Sequence, residues 1–272
     1  MKLYVPPPDS HKGQNGKLLI IAGSELFHAP LLWTLKIASR IVDMVFFSST
    51  EENNEIAKKE FKDGIVVPRN KIEDYIEEAD CILIGPGLPR KDGEEKGDDD
   101  TKRLTESLLT KYPKKKWVLD GGGLQTIDPS LIPANAILTP HGKEFERLFG
   151  NVILSKAKNL DPSVTPQDDT VKKMARKYNC VIVLKGPTDV VCSKEKCVKI
   201  KGGNAGMTKG GTGDVLAGLI ASLYCKNNAF LSAKMGSMIN KKAGENLFKK
   251  VGYYFNASDL ADEITRVIKE LG

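Results

Sequence analysis

Apolar and polar positions along this chain sort into short continuous apolar runs separated by longer stretches of mixed character. Seven runs are continuous rather than alternating: Leu18 to Ala22, Met44 to Phe47, Gly64 to Val67, Cys81 to Ile84, Trp117 to Asp120, Ala136 to Leu138 and Cys180 to Leu184. A strand apolar on both faces needs cover on both, so these runs predict the buried strands of a parallel sheet. Between them, apolar residues recur at helical spacing in Ala29 to Ile41, Lys102 to Lys111, Lys143 to Phe149 and Asp168 to Tyr178. Strands alternating with helices predict an α/β fold, a central and mainly parallel sheet flanked by helices on both faces. After Leu184 the pattern changes. Val190 to Cys192 and Cys197 to Ile200 predict a short hairpin around Ser193 to Lys196. A glycine-rich turn follows, then helices over Thr212 to Tyr224 and Ala229 to Lys250.

With 272 residues, 40% of them hydrophobic, the chain can bury a sizeable core, and residues 1–272 are expected to form a single domain. The formal net charge is +6. Its lysines are scattered in pairs such as Lys58-Lys59, Lys172-Lys173 and Lys241-Lys242, which read as solvated helix faces and not as a nucleic-acid surface. Five cysteines form no CxxC pair, and no histidine lies near Cys192 and Cys197. These two read as strand-flanking thiols of a reducing cytosol, in preference to a metal site or a disulfide. Met1 to Ser10 holds one lysine, three prolines and no apolar h-region. No apolar run approaches the roughly 18 residues of a membrane span. The expectation is a cytoplasmic protein with neither membrane nor nucleic acid as partner, and a homo-oligomer. The charged stretch Arg90 to Asp100 predicts a mobile loop, with Asp99 or Asp100 capping the helix that follows.

Chemistry concentrates in one place. Gly202 to Gly213 contains six glycines in twelve residues and runs directly into an amphipathic helix through Thr212-Gly213-Asp214. Glycines at a helix start let successive backbone N–H groups point at one anion, and the helix dipole adds to the attraction. Gly210, Gly211, Thr212 and Gly213 are therefore the candidate anion hole. Asp214 falls in the first helical turn beside it, where a carboxylate can take a proton from a hydroxyl attacking a phosphoryl group. The loop is neither a Walker A sequence nor a dinucleotide fingerprint after a first strand. Lys185-Gly186 leaves a strand end, at the sheet edge where α/β folds bind ligands. His141 also leaves a strand end and is the best placed of the three histidines. Lys185 as a plain edge lysine, His141 as a structural side chain and Gly87 as a plain turn glycine remain open alternatives.

Gly-Gly-Thr-Gly-Asp opening a C-terminal helix resembles the anion-hole motif of the ribokinase-like superfamily. The longer string through Asn204, Gly206, Met207 and Asp214 to Gly218 is similar to one branch, the ADP/ATP-dependent NAD(P)H-hydrate dehydratases. Gly85 to Leu88, Leu119-Asp120 with Gly122 to Leu124, Leu138 to His141 with Glu144, Leu184 to Gly186, and Ala257 to Leu260 agree with that branch in order. The resemblance implies repair of hydrated NADH and NADPH, with Mg²⁺ and with ATP or ADP as co-substrate. It implies Asp214 as catalytic base, also touching the hydrate. Lys185, Gly186, Pro187, Thr188, Asp189 and Gly213 would form the nucleotide site, and Ala29, Gly87 and His141 the hydrate site. Several positions depart from the pattern: Ala22-Gly23-Ser24, His28 to Trp33, Asp120 to Gly122, and Pro89-Arg90. These bear on the shape of the substrate pocket. The larger bifunctional members carry an N-terminal epimerase domain, for which this chain has no room. The rival within the superfamily is a small-alcohol kinase such as hydroxyethylthiazole kinase. Outside catalysis it is a silent nucleotide-binding protein, and the presence of Asp214 and its glycines argues against that.

Overall fold

The computed structural model describes residues 2–90, 100–150 and 168–271. Elements alternate from the start. They run β1 (Lys17–Ile21), α1 (Ala29–Ala38), β2 (Met44–Ser48), α2 (Glu51–Glu60), β3 (Ile65–Val66), α3 (Ile72–Glu78), β4 (Cys81–Ile84) and α4 (Thr101–Lys111). Then follow β5 (Lys116–Leu119), α5 (Gly121–Thr126), β6 (Ile137–Leu138), α6 (Gly142–Phe149), α7 (Asp168–Lys177) and β7 (Val181–Leu184). The chain ends with β8 (Asp189–Cys192), β9 (Cys197–Ile200), α8 (Thr212–Lys226), α9 (Ala229–Val251) and α10 (Ala257–Leu271). The sheet order is β3-β2-β1-β4-β5-β6-β7-β8-β9, parallel up to β7 and antiparallel from β7 to β9.

The continuous apolar runs are explained by what covers each face, except that β3, expected to be buried, lies at the sheet edge with Ile65 exposed. Leu19, Ile21, Phe46, Ile82, Ile84, Leu119, Leu138 and Ile182 face a core shared with α3 to α7. The alternate residues Leu18, Ile20, Val45, Phe47, Leu83, Val118, Ile137 and Val183 pack on Leu31 and Leu35 of α1 and Leu216 and Ile220 of α8. A third cluster joins Ile37, Val215, Leu219, Ile239 and Ala243 to Leu260 and Ile264, laying α10 outside the layer of α1, α8 and α9. No helix among the described residues is long and apolar enough to cross a membrane.

Two further expectations change here, and one unforeseen helix is added. Cys192 and Cys197, read as free thiols, are joined in a disulfide, with Cα atoms 4.1 Å apart. The antiparallel register sets them directly opposite each other, and facing residues of such a pair can approach closely enough to be bridged. Lys241, read as part of a solvated pair, is buried. Helix α2 was not anticipated because its inner face is built from polar residues. Asn53 and Asn54 are buried there, and Asn53 Nδ2 donates to the Ser24 carbonyl at 2.8 Å. Asp100 does cap α4, accepting from the Arg103 N–H at 2.9 Å. Residues 91–99 of the charged loop lie outside the described residues.

Candidate active site

Four chain segments meet at the carboxyl edge of the sheet. The start of α8 is fixed first. Gly211, its N-cap, has φ 92°, and a β-carbon there would lie 2.4 Å from the Trp33 ring. Only glycine fits this left-handed, close-packed position. Asn204 Oδ1 accepts from the Gly206 N–H at 2.9 Å while its Nδ2 donates to the Gly244 carbonyl at 2.7 Å. Thr212 Oγ1 donates toward the Met207 and Lys209 carbonyls at 2.6 and 2.9 Å. Lys209 Nζ donates to the Tyr253 and Phe255 carbonyls. The glycine-rich loop is thus tied to α9 and to the turn before α10. It presents the first N–H groups of α8, which by helix geometry have no intrahelical carbonyl to bond.

Lys185 reaches this helix start from the end of β7. A β-carbon on Gly213 would lie 3.5 Å from its Nζ. The same ammonium donates to Asp120 Oδ1 at 3.0 Å and lies 3.8 Å from Glu144 Oε2. Both carboxylates are held from behind. Thr139 Oγ1 donates to Asp120 Oδ1 at 2.7 Å, and Gln125 Nε2 donates to Glu144 Oε1 at 2.9 Å. Glu144 also closes a capping box on α6 with His141, whose N–H donates to Oε2 at 2.8 Å. Burial alone would lower the Lys185 ammonium, but Asp120 and Glu144 raise it above its ordinary value.

Asp214 is half-buried on the first turn of α8. Burial, then the negative charge of Asp120, push its carboxyl up to about 7, against the pull of Lys185. A carboxyl with this proton affinity is half ionised near neutral pH, where a general base is most effective.

A cavity of about 710 Å³ opens beside the helix start. His141, Lys185, Gly186, Pro187, Asp189, Thr212 and Gly213 are in its wall, with Gly202 to Ala205, Met207, Thr208, Leu216, Asn240 and Lys241. Most of the residues expected to bind nucleotide are therefore brought together. Thr188 is not in the wall. Asp189 is there, but its oxygens are engaged: it accepts from the Gly186 N–H at 3.0 Å and from Ser237 Oγ at 2.6 Å. Lys241 Nζ lies 3.3 Å from Asp189 Oδ1 and donates to the Gly186 and Pro187 carbonyls at 2.9 and 3.2 Å. Asp189 and Lys241 shape the loop from behind. Ala29 and Gly87 sit elsewhere on the same edge. A β-carbon on Gly87 would meet the Pro30 ring at 2.9 Å, next to Ala29. Gly85, two residues earlier, is so close to Asp120 that a β-carbon would lie 1.7 Å from its carbonyl.

Four contributors were not singled out from the residue pattern. Asp120 and Glu144 lay inside quoted motifs without a role of their own; the available signals were a carboxylate at the end of β5 for Asp120 and a glutamate in the first turn of α6 for Glu144. Trp33, which entered only as the end of the divergent stretch His28 to Trp33, proves to be the wall behind Gly211, its Nε1 donating to Ser258 Oγ at 3.3 Å. Lys241 gave no signal, because a buried and an exposed lysine look alike in a sequence.

A family profile described as NAD(P)H-hydrate dehydratase matches residues 18–266. The chain is 36% identical, over 96% of its length, to a protein of Methanocaldococcus jannaschii named bifunctional NAD(P)H-hydrate repair enzyme Nnr, and spans 50% of that protein. It is 31% identical, over 99% of its length, to the ADP-dependent (S)-NAD(P)H-hydrate dehydratase of Nitrosopumilus maritimus, and covers 94% of it. The chain thus spans about half the length of the first of these relatives and nearly all of the second. Its fold is like that of the Bacillus subtilis ADP/ATP-dependent NAD(P)H-hydrate dehydratase co-crystallized with ATP/Mg²⁺. The TM-score is 0.80 at 24% identity, covering 98% of this chain and 94% of that one.

Proposed function

The chain belongs to the NAD(P)H-hydrate dehydratase family, and on that premise we propose that it uses ATP or ADP to turn NADH hydrate and NADPH hydrate back into NADH and NADPH. The observation that carries the reading is Asp214, with its proton affinity raised to about 7, on the first turn of a helix whose start faces the Lys185 ammonium. Asp214 takes the proton of the C6 hydroxyl as that oxygen attacks the terminal phosphoryl group, breaking the phosphoanhydride bond and releasing ADP from ATP or AMP from ADP. The resulting phosphate ester at C6 leaves as phosphate, a proton leaves the neighbouring ring carbon, and the ring double bond returns. Gly210, Gly211 and Gly213 offer backbone N–H groups to the phosphoryl oxygens, the Thr212 N–H being turned to the Lys209 carbonyl at 3.4 Å, and Lys185 adds positive charge. Lys185, Gly186 and Pro187 with Gly213 form the nucleotide side, on a loop that Thr188 and Asp189 complete; the hydrate is assigned to Ala29, Gly87 and His141, the last sharing the cavity wall with the nucleotide residues.

Among the described residues, no three His, Cys, Asp or Glu side chains are grouped to hold a metal. The nearest hard donors are Asp120 and Glu144, each already beside Lys185. That set fits a Mg²⁺ ion carried in on nucleotide phosphates and water, not one caged by protein. Bound there, Mg²⁺ would neutralise charge on the phosphates.

The test is absorbance at the reduced-nicotinamide band, with NADH hydrate plus ATP or ADP and no redox partner. Growth of the band is expected. A flat trace with correctly folded protein overturns the reading, and nucleotide-dependent phosphorylation of a thiazole alcohol instead would make it a small-alcohol kinase.

A further inference from the structure

The wall of the 710 Å³ cavity is not chemically uniform. Lys185, Thr212 and Gly213 supply a cation and a helix start, which suit phosphate. Leu216 lies four residues further along α8, about one turn or 6 Å deeper. With Pro187, Ala205 and Met207 it gives the remaining wall a carbon surface. Two carboxamides are in that wall: Asn204 is committed to the Gly206 N–H and the Gly244 carbonyl, whereas Asn240, from the middle of α9, has no such tie. Its neighbours on the helix are committed elsewhere, Lys241 to the Gly186 and Pro187 carbonyls and Ser237 to Asp189. Asn240 is 5% exposed, and its Oδ1 has no hydrogen-bond partner. A buried amide oxygen left in this way is a standing penalty, and such groups are rare in folded proteins. No intramolecular contact recovers it here. A ligand can.

We propose that Asn240 selects the base of the nucleotide, pairing its carboxamide with the N6 amine and N7 of adenine. This rests on the adenine-nucleotide reading of the site given above. A purine is a flat ring with carbon-like faces and one polar edge, which matches a largely carbon wall carrying one uncommitted amide. An asparagine pairs with adenine through two bonds, Oδ1 accepting from the N6 amine while Nδ2 donates to N7. A 6-oxopurine offers two acceptors on that edge. Whichever way the amide turns, one of its two bonds is then lost.

The experiment is calorimetric titration of ADP and of IDP, without hydrate, into wild-type protein, Asn240→Leu and Asn240→Ser, with melting temperatures for all three. Wild type should prefer ADP about tenfold or more. In both variants ADP should weaken until the two nucleotides bind within about twofold of each other. Asn240→Leu should melt at the wild-type temperature or above it, since it breaks no internal hydrogen bond and removes an unsatisfied one. If the leucine variant does not fold, Asn240→Ser still reports the ratio. Equal affinities in wild type overturn the proposal, and so does an ADP preference that survives in the variants. A leucine variant that melts lower with its preference intact assigns Asn240 a structural role instead. The hydrate assay is separate: wild type that prefers ADP tenfold but leaves the nicotinamide band flat sinks the proposed reaction and leaves this inference standing.

Discussion

Replacing Asp214 with asparagine is expected to remove activity and, above neutral pH, to make the protein more stable. The carboxyl is pushed from 3.8 to about 7 in the folded chain. Because the folded value lies above the unfolded one, the native state keeps a proton between these limits that the unfolded chain has released. Stability therefore falls as pH rises from about 4 to 7 and is flat beyond. About three pH units at 1.36 kcal/mol each set a ceiling near 4 kcal/mol. Asp214 is only partly buried, so solvent screening reduces the expected gain to on the order of 1–2 kcal/mol, a few degrees in melting temperature. Asparagine carries no charge to desolvate and none for Asp120 to repel. Scanning calorimetry of both proteins at pH 4, 6 and 8 should show coincident melting at pH 4 and the variant higher at pH 8. Turnover should fall by about 10² to 10⁴ while nucleotide affinity stays within a few-fold. In wild type, kcat/KM should rise with pH through about 7 as the base is freed. A profile flat between pH 6 and 8, or a variant that melts below wild type at pH 8, would refute the assignment of both the proton and its energetic burden to this residue.

Gly213→Val should weaken ATP and ADP and stop the reaction together, since its side chain enters the space 3.5 Å from Lys185 Nζ; unchanged affinity by titration would displace the phosphate from this helix start. Lys241→Met should destabilise the fold by about 3–5 kcal/mol in denaturant melts, because Asp189 keeps a buried charge whose cationic partner is gone, and a loss under 1 kcal/mol would show that the loop stands without it. Gly211→Ala should cost about 1–3 kcal/mol from its left-handed backbone and its clash with Trp33, and pairing it with Trp33→Ala should recover only the clash.

Nearly all the sheet was readable because a strand buried on both faces has no alternative to an unbroken apolar run, as Leu18 to Ala22 and Cys81 to Ile84 show. The helix start at Thr212 was readable for a related reason: few folds need six glycines in twelve residues. What escaped is what depends on a residue's partners and not on its own type. The inner face of α2 is polar, so Asn53 and Asn54 looked like surface. α10 carries buried Ala257, Leu260, Ala261, Ile264 and Val267 at helical spacing, yet only its first four residues were weighed, as a motif. The Cys192–Cys197 bridge follows from a strand register that two cysteines alone do not declare. Lys241 needed the far side of the loop, some fifty residues earlier, to be recognised at all.

The cluster at the sheet edge sets three carboxylates, Asp120, Glu144 and Asp214, against the single ammonium of Lys185. Such a site starts with a surplus of negative charge before any phosphate arrives. A nucleotide entering without a cation should hold a proton on Asp214 more firmly still, so binding should draw protons from the buffer near pH 7. Nucleotide entering with a divalent ion should draw fewer. Heats of titration measured in buffers of different ionisation enthalpy count those protons directly. The ion would then act twice, by offsetting phosphate charge and by leaving the base free to accept the proton it must take.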